Sequence, residues 1–431
     1  MAEGSDALGN GIFGKVNMTD MSAPRRWEDP PRLPSTHYVD SRIYTDPAIF
    51  AEEQARIFAG EWKLVCHESE LPQTGDYRVV SVAGRSLVVV RGENGEVRSF
   101  YNTCAHRGAE LVRDLRGNLG RAGFRCFYHL WTYDLNGRNT WMTRPEGYES
   151  CGLKKEDYGL RPVRTERVAG LVFVSLRDDV EPLETYLDGM LGRINEHLGA
   201  AEFEVTHHHS AVINANWKFW NENNTEVYHE FLHILNRKTM VMQPGYHNRR
   251  WALYRNGHAS PDQVYSNYEA VGLEAREENL LPGIRPSGLL PLAVFPDVLI
   301  IFRATILRID TMTPLSPDRT LVEWRGLGLK GDSPEVRAMR LRQHNQVWGP
   351  AGRNLAEDVA AVESQQRNVA NGASRYNIIA REENFAPHDD CNLRAYYQEW
   401  GRRVGRWAHN VDLPRPPAAA ESESTPRVAH G

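Results

Sequence analysis

Hydrophobic and polar positions change rhythm several times along the chain. "DPAIFAEEQARIFAGEW" has helical spacing, with Ile49, Phe50, Ala55, Ile57 and Phe58 able to share one face. "DYRVVSVAGRSLVVVRGENGEVRSFYNTC" runs instead in short β-branched stretches, broken at Gly-Arg and Glu-Asn-Gly-Glu as hairpins are. "GLRPVRTERVAGLVFVSL" continues that style, so roughly 40–178 reads as a small all-β domain. From about 181 the types mix. "LETYLDGMLGRINEHL" predicts a helix and "EFEVTHHHSAVINANWKFW" a strand. "NENNTEVYHEFLHIL" predicts a helix with Asn223 or Asn224 near its start. "DVLIIFRATILRIDTMTPL" and "TLVEWRGLGLK" predict sheet strands, whereas "SPEVRAMRLRQHNQVWG" and "NLAEDVAAVESQQRNV" predict helices. The second part is therefore α+β. No internal repeat recurs at a fixed period.

The ends differ from the middle. Residues 1–36 are rich in Gly, Ser, Asp and Pro and predict a mobile arm, and 412–431 predict a disordered tail. That leaves 37–178, with its helical lead-in, and 179–411 as two domains, which suits a chain of 431 residues. With 41% hydrophobic and 25% charged residues the composition is that of a soluble globular protein. A net charge of −5 gives no reason to expect nucleic acid or an anionic membrane as partner. The N-terminus lacks a charged region followed by an apolar core, so no signal peptide is expected. No apolar run is long enough to span a bilayer. Five cysteines in so long a chain do not make a disulfide framework, and a reducing cytoplasm is the expected setting.

Two of those cysteines have a histidine close behind. Cys104-Ala105-His106 stands in "NTCAHRGAELV" and Cys126-Phe127-Tyr128-His129 in "FRCFYHLWTYDLNG", each after a strand-like run. Two hairpin tips could hold a four-ligand site between them. Two Cys and two His bind either a tetrahedral zinc or a Rieske [2Fe–2S] cluster, in which two Cys hold one iron and two His the other. Zinc fingers usually pair like with like, Cys-x-x-Cys then His-x-x-His. One Cys and one His per loop suits the cluster. Cys66, Cys151 and Cys391 have no metal-like spacing and are expected to be packed thiols.

A second pattern lies in "TEVYHEFLHIL". His229-Glu230-Phe231-Leu232-His233 fits H-E-x-x-H, the mark of zinc peptidases, with Glu230 as base. Two imidazoles four residues apart on a helix share a face and can bind one metal. With 16 histidines in the chain the spacing alone is weak. His207-His208-His209 lies in a strand-like run, where alternate residues face opposite ways, and is read as structural.

The flanks decide between these readings. "CAHRGA" followed by "C-x-Y-H-x-W-x-Y-D-x-x-G" resembles the Rieske domain of ring-hydroxylating oxygenase α subunits. Phe127 stands where that family usually has Pro, Leu130 where it has Gly, and the gap of residues 107–125 is slightly longer than most. Asn216-Trp217-Lys218, Glu222-Asn223, Glu226 and Tyr228-His229 resemble the family's iron-site segment, and Asp358 with Glu363 its third-ligand helix. "YTDPAIFAEEQARIFAGEWKLVCHESELPQTGDY", "VFPDVLIIF", "TPLSPDRTLVEW" and "NLRAYYQEW" resemble further segments, so the likeness covers most of the chain.

The resemblance implies an all-β Rieske [2Fe–2S] domain plus an α+β catalytic domain with an antiparallel sheet flanked by helices. It implies Cys104, His106, Cys126 and His129 as cluster ligands. It implies His229, His233 and Asp358 as the two-His-one-carboxylate ligands of mononuclear Fe(II), with Glu357 as the spare acid. The family more often has four or five residues between its two histidines, where this chain has three. Glu226 then bridges His229 to His129 of the next subunit, Asn223 stands beside the iron or caps the helix, and Glu230 is a solvated or structural carboxylate. The implied protein is the terminal oxygenase of a multicomponent system. It takes electrons from NAD(P)H through a reductase and possibly a ferredoxin, works as a trimer, possibly with a small β subunit, and uses O2 to hydroxylate a small, aromatic substrate. Arg249, Arg250 and Arg255 could meet a substrate carboxylate or sulfonate, but are more simply solvated. The alternatives are a zinc metallopeptidase and a Rieske protein that only carries electrons.

Overall fold

A computed structural model describes residues 24–226, 228–237, 239, 250–269, 273, 275–381 and 390–416. The hairpin signals of the N-terminal half build a seven-stranded antiparallel sheet. Its spatial order is Lys63–His67, Leu171–Ser175, Pro162–Val168, Val97–Tyr101, Arg85–Arg91, Asp76–Val82 and Arg116–Asn118. Val82 faces Arg85 across Ala83-Gly84, both at positive φ (47° and 73°). That turn twists in the same sense as its strands. A separate three-stranded sheet, Phe124–Arg125, Thr132–Tyr133 and Asn139–Trp141, carries the Cys126 loop between its first two strands. The Cys104 loop follows Val97–Tyr101.

The C-terminal half is an antiparallel sheet with helices, an α+β arrangement as expected. The sheet runs Phe203–Ile213, Arg319–Leu329, Ile306–Ser316, Val298–Arg303, Gly288–Val294, Ala259–Pro261, Trp251–Leu253, with Val264–Tyr265 also on Gly288–Val294. Val298–Arg303 is buried along its whole length, which explains the unbroken apolar run Val298–Phe302. The helices Pro334–Trp348 and Leu355–Ala370 form where the sequence predicts them, and Cys391–Val404 is a third. Ser333 caps the first, accepting from the Val336 amide at 3.3 Å. Among the described residues no helix is long and apolar enough to cross a membrane.

Four expectations change. The single helix over "LETYLDGMLGRINEHL" is two, Leu183–Leu187 and Gly189–His197, hinged at Asp188 (φ 49°, ψ −134°). Gly189 lies against the Tyr254 ring, where a Cβ would sit 2.5 Å from a ring carbon, so only glycine fits. The Asn-rich helix is Trp217–Thr225; Asn216 is its cap, accepting from the Lys218 amide at 3.1 Å, and Asn223 lies in its last turn. Ala55 is exposed, because a π turn over Gln54–Phe58 rotates it off the apolar face of Pro47–Glu53. The expected tail begins too early: Asn410–Pro414 pairs with Arg406–Trp407, and Asp412 meets Arg42 at 2.9 Å. Residues 1–23 of the expected arm and 417–431 of the tail lie outside the described residues.

The lead-in helix, grouped by sequence with the β domain, packs into the catalytic core. Ile43, Tyr44, Ile49, Ile57 and Phe58 share one cluster with Trp217, Trp220 and Trp400. At its centre Glu53, fully buried, accepts from Lys218 Nζ at 2.6 Å, Trp217 Nε1 at 2.9 Å and Trp400 Nε1 at 2.7 Å. Burial lowers the Lys218 pKa, against the pull of Glu53. Removing one partner of such a pair strands the other charge. Glu53→Ala is therefore expected to cost about 3–5 kcal/mol, read as a lowered denaturation midpoint; an unchanged midpoint would mean that Lys218 finds water instead.

Candidate active site

The two Cys-His loops have the same backbone closure. The Gly108 amide donates to the Cys104 carbonyl and the Leu130 amide to that of Cys126, both at 3.0 Å. The cysteine amides donate back to Ala109 O (2.8 Å) and Trp131 O (2.9 Å). This closure needs positive φ at the fourth residue on, and both positions have it: Gly108 at 74°, Leu130 at 61°. Leu130 thus occupies a conformation that favours glycine, at a cost of about 1–2 kcal/mol. Cys104 and Cys126 are buried and unbonded to any other cysteine. The His106 and His129 rings lie 4.6 Å apart near the surface, His106 stacked on Trp131 at 4.7 Å.

These four residues fit a two-iron cluster. His106 Nδ1 is buried with no hydrogen-bond partner among the described residues, as a metal-ligating nitrogen would be. Among the described residues, no three of the four ligand atoms fall within 4.8 Å of one another, the spacing of a single ion. Three donors around one ion are therefore not in place, whereas a pair of cysteines and a pair of histidines suits two irons. The Ala105 amide donates to the Tyr133 hydroxyl at 3.1 Å, so that hydroxyl turns its proton to Cys104 Sγ at 3.2 Å. Burial, then the thiol, raises the Tyr133 pKa, which keeps it a donor.

The second centre is built from a helix end, a turn and a helix start. Trp217–Thr225 stops because Thr225 Oγ1 bonds back to Asn221 O (2.8 Å), Asn392 takes Thr225 O (2.8 Å), and the Glu226 carboxylate accepts from the Tyr228 amide (3.0 Å). These contacts satisfy the backbone outside a helix. His229 and His233 are therefore not on a helix; His233 precedes the short Ile234–Asn236. Asp358 comes from the first turn of Leu355–Ala370, where the helix dipole favours a carboxylate. Its Oδ1 lies 3.1 Å from His233 Nε2 and 3.4 Å from His229 Nε2. Among the described residues these three form the one group of His, Cys, Asp or Glu donors within 4.8 Å.

The far side of each imidazole is tied to a carboxylate: His229 Nδ1 to Glu226 at 2.5 Å, His233 Nδ1 to Glu357 at 2.7 Å. That fixes each proton on Nδ1 and aims the Nε2 lone pair at Asp358. Asp358 Oδ1 itself is buried and makes no well-aligned hydrogen bond. Burial pushes the Asp358 carboxyl up, but positive charge on His229 and His233 in their protonated form outweighs it and holds its pKa below the ordinary value, so the point between the three favours a cation. A buried carboxylate oxygen and two imidazole lone pairs converging on one point suit Fe(II), with open positions left over.

Comparison with known proteins agrees with both centres. Residues 61–152 match the Rieske [2Fe-2S] domain, and residues 200–401 match the ring hydroxylating alpha subunit catalytic domain. The chain is 43% identical over 89% of its length to the alpha subunit of 2-aminobenzenesulfonate 2,3-dioxygenase from Alcaligenes sp., covering 97% of that protein. The chain belongs to the Rieske-type ring-hydroxylating oxygenase α subunits. It is also 37% identical, over 92% of its length and 98% of the relative, to the alpha subunit of the methanesulfonate monooxygenase hydroxylase of Methylosulfonomonas methylovora. Naphthalene 1,2-dioxygenase from Rhodococcus sp. shares the fold, with a TM-score of 0.76 at 23% identity over 85% of this chain and 94% of that one.

Family membership makes the protein an oxygenase whose domains imply a Rieske cluster and a mononuclear iron. The zinc peptidase and the pure electron carrier are both set aside by the matched catalytic domain. The H-E-x-x-H resemblance arises from a turn, and Glu230 is 4% exposed rather than solvated. Glu357, the spare acid, holds His233. Asn223 is no cap; it borders the triad cavity, its Oδ1 accepting from Asn224 at 3.3 Å. Glu363 accepts from Asn214 at 2.9 and 3.0 Å, away from the triad. His207 and His209 share a face and bond at 2.9 Å, while His208 turns to Glu323. Cys66 is buried, Cys391 half-buried, but Cys151 is exposed at the end of a surface turn.

Of the three arginines considered for a substrate anion, Arg250 is exposed, Arg255 pairs with Glu181, and Arg249 lies outside the described residues. The triad cavity is lined by two others, Arg303 and Arg308, with Trp348, Asn236, Leu289, Pro291 and Ile301. Sequence reasoning missed them inside "VLIIFRATILRID", although a lone Arg closing an apolar strand is itself the signal.

Proposed function

We propose that this α subunit oxygenates a small organosulfonate, with Cys104, His106, Cys126 and His129 holding the cluster and His229, His233 and Asp358 the iron. The observation that carries the site assignment is the pairing of each triad imidazole with its own carboxylate, which leaves both Nε2 lone pairs turned to Asp358. When bound, the cluster supplies electrons one at a time and the iron a place to activate O2. Glu226 and Glu357 keep the protons of His229 and His233 on Nδ1. Tyr133 donates to Cys104 Sγ and so favours added electron density there.

The substrate class is supported by the two relatives named above, one acting on an aromatic and one on an aliphatic sulfonate. The shared feature is the headgroup and not the ring, which broadens the aromatic expectation. Electrons come from NAD(P)H through a reductase, with or without a ferredoxin. The chains form a trimer, with or without a β subunit. Phe127, Tyr128 and Leu130 support the trimer: they are 55%, 56% and 45% exposed around His129, an apolar rim suited to a protein partner. The outer cavity beside Glu226, Tyr228 and His229 is not lined by this chain's His106 or His129.

The test is the metal content of anaerobically purified protein, followed by oxygen uptake. About three irons and two sulfides per chain are expected. With a reductase and NADH, 2-aminobenzenesulfonate or methanesulfonate should stimulate uptake above the neutral analogue benzenesulfonamide. Zinc without sulfide would overturn the site assignment. Uptake indifferent to sulfonates would overturn the substrate class.

A further inference from the structure

Three of the buried arginines among the described residues come with carboxylates. Arg308 (1% exposed) meets Asp310 at 2.8 Å, Arg325 (1%) meets Glu70 at 2.8 Å, and Arg340 (3%) meets Asp332 at 2.7 Å. The guanidinium is too costly to desolvate unpaired. Arg303 differs from these three. It closes the central strand Val298–Arg303, is 5% exposed, and among the described residues its side chain has one hydrogen bond, from Nη2 to Asn236 Oδ1 at 3.2 Å. Its Nε and Nη1 are buried without a partner among the described residues. No described carboxylate comes within ion-pair distance; Asp358 and Glu230 act on it only from farther off. Its guanidinium lies 5.3 Å from the Trp348 ring, a contact that holds its plane but supplies no negative charge.

Its position gives the exception a meaning. Arg303 lines the same cavity as His229, His233 and Asp358. Arg308, on the neighbouring strand, lines it too and stacks on the same indole at 5.0 Å, but its charge is already met by Asp310. Of the two cations in the cavity, one is neutralised internally and one keeps its donors unused. An unpaired buried donor set inside a ligand cavity is satisfied by what binds there.

We propose that Arg303 is the substrate-anchoring residue, receiving the anionic headgroup of the substrate, a sulfonate, on its free guanidinium donors. This deepens the organosulfonate reading and rests on it for the choice of anion. The anion oxygens accept from Arg303, and the rest of the substrate occupies the part of the cavity lined by the triad. Asn236, which accepts from the Arg303 guanidinium, is a positioning residue that holds it in place.

The test is anaerobic binding by calorimetry, on protein whose iron and sulfide content has been matched between variants. Four probes are used: benzenesulfonate, methanesulfonate, benzoate and neutral benzenesulfonamide. Wild type should prefer the sulfonates to the sulfonamide. R303Q should bind the sulfonates roughly 100-fold more weakly while leaving the sulfonamide little changed. R303K, which keeps the charge but not the planar fork, should fall between. R250Q, at an exposed site, should match wild type. Equal sulfonate binding by R303Q and wild type overturns the anchor, whatever the substrate proves to be. So does a wild type that binds none of the three anions. Benzoate bound through Arg303 in place of the sulfonates keeps the anchor and removes the organosulfonate reading.

Discussion

Asp358→Ala is expected to lower the iron content from about three to about two per chain while acid-labile sulfide stays at about two. Substrate-driven oxygen uptake should fall to background. Asp358 Oδ1 is the only carboxylate oxygen within 4.8 Å of both imidazole donors among the described residues. The nearest substitute, Glu357, is committed to His233 Nδ1 at 2.7 Å and so stands behind that ring, not in front of it. Two neutral imidazoles alone hold Fe(II) weakly, because a hard cation draws much of its affinity from the charged oxygen. The cluster should be untouched, since its proposed ligands lie in a different sheet and loop pair. Its absorption spectrum is therefore the internal control. Asp358→Asn tests the charge separately: it keeps the volume and the helix position, and is expected to lose most of the same iron. A third iron retained in Asp358→Ala would show that another group completes the site.

Much of this was legible in the sequence, for reasons that differ between the centres. The Cys-x-His and Cys-x-x-His loops are short, so their ligands are close in space because they are close in the chain. Leu130 could be marked as a departure, but that it takes φ 61° needs the backbone. His229 and Asp358 belong to segments more than a hundred residues apart, and residue type alone does not join them; likeness to a family did. The H-E-x-x-H window misled because four-residue spacing implies a helix only if the backbone is free to form one. Here Thr225, Glu226 and Asn392 divert it. Glu53 could not be read as buried, since its partners Lys218 and Trp400 come from elements that only tertiary packing brings together. The arginines show the same limit: those in a polar stretch drew notice, while Arg303 was absorbed into a strand by its apolar neighbours.

Glu226→Ala is expected to keep about three irons and two sulfides per chain yet lose roughly 10–100-fold or more in turnover. Glu226 does not reach the triad centre; its Oε1 grips His229 Nδ1 at 2.5 Å and its Oε2 accepts from the Tyr228 amide at 3.0 Å. It therefore acts through His229, as a positioning residue. It also borders both the triad cavity and the outer cavity, so one carboxylate faces the proposed iron ligands and the surface at once. In the proposed trimer the imidazole arriving at that outer face is His129 of a neighbouring copy, with its exposed apolar rim seated around the cavity. A role limited to holding His229 would lower iron occupancy and turnover together. A role in joining the centres would leave occupancy intact and slow one step, the reoxidation of a chemically reduced cluster when substrate and O2 are added. That rate is the deciding measurement. Glu226→Asp, which shortens the reach but keeps the charge, should restore part of it. Unchanged reoxidation and turnover in Glu226→Ala would leave Glu226 with no part in the coupling, and the path between cluster and iron would have to run through another group.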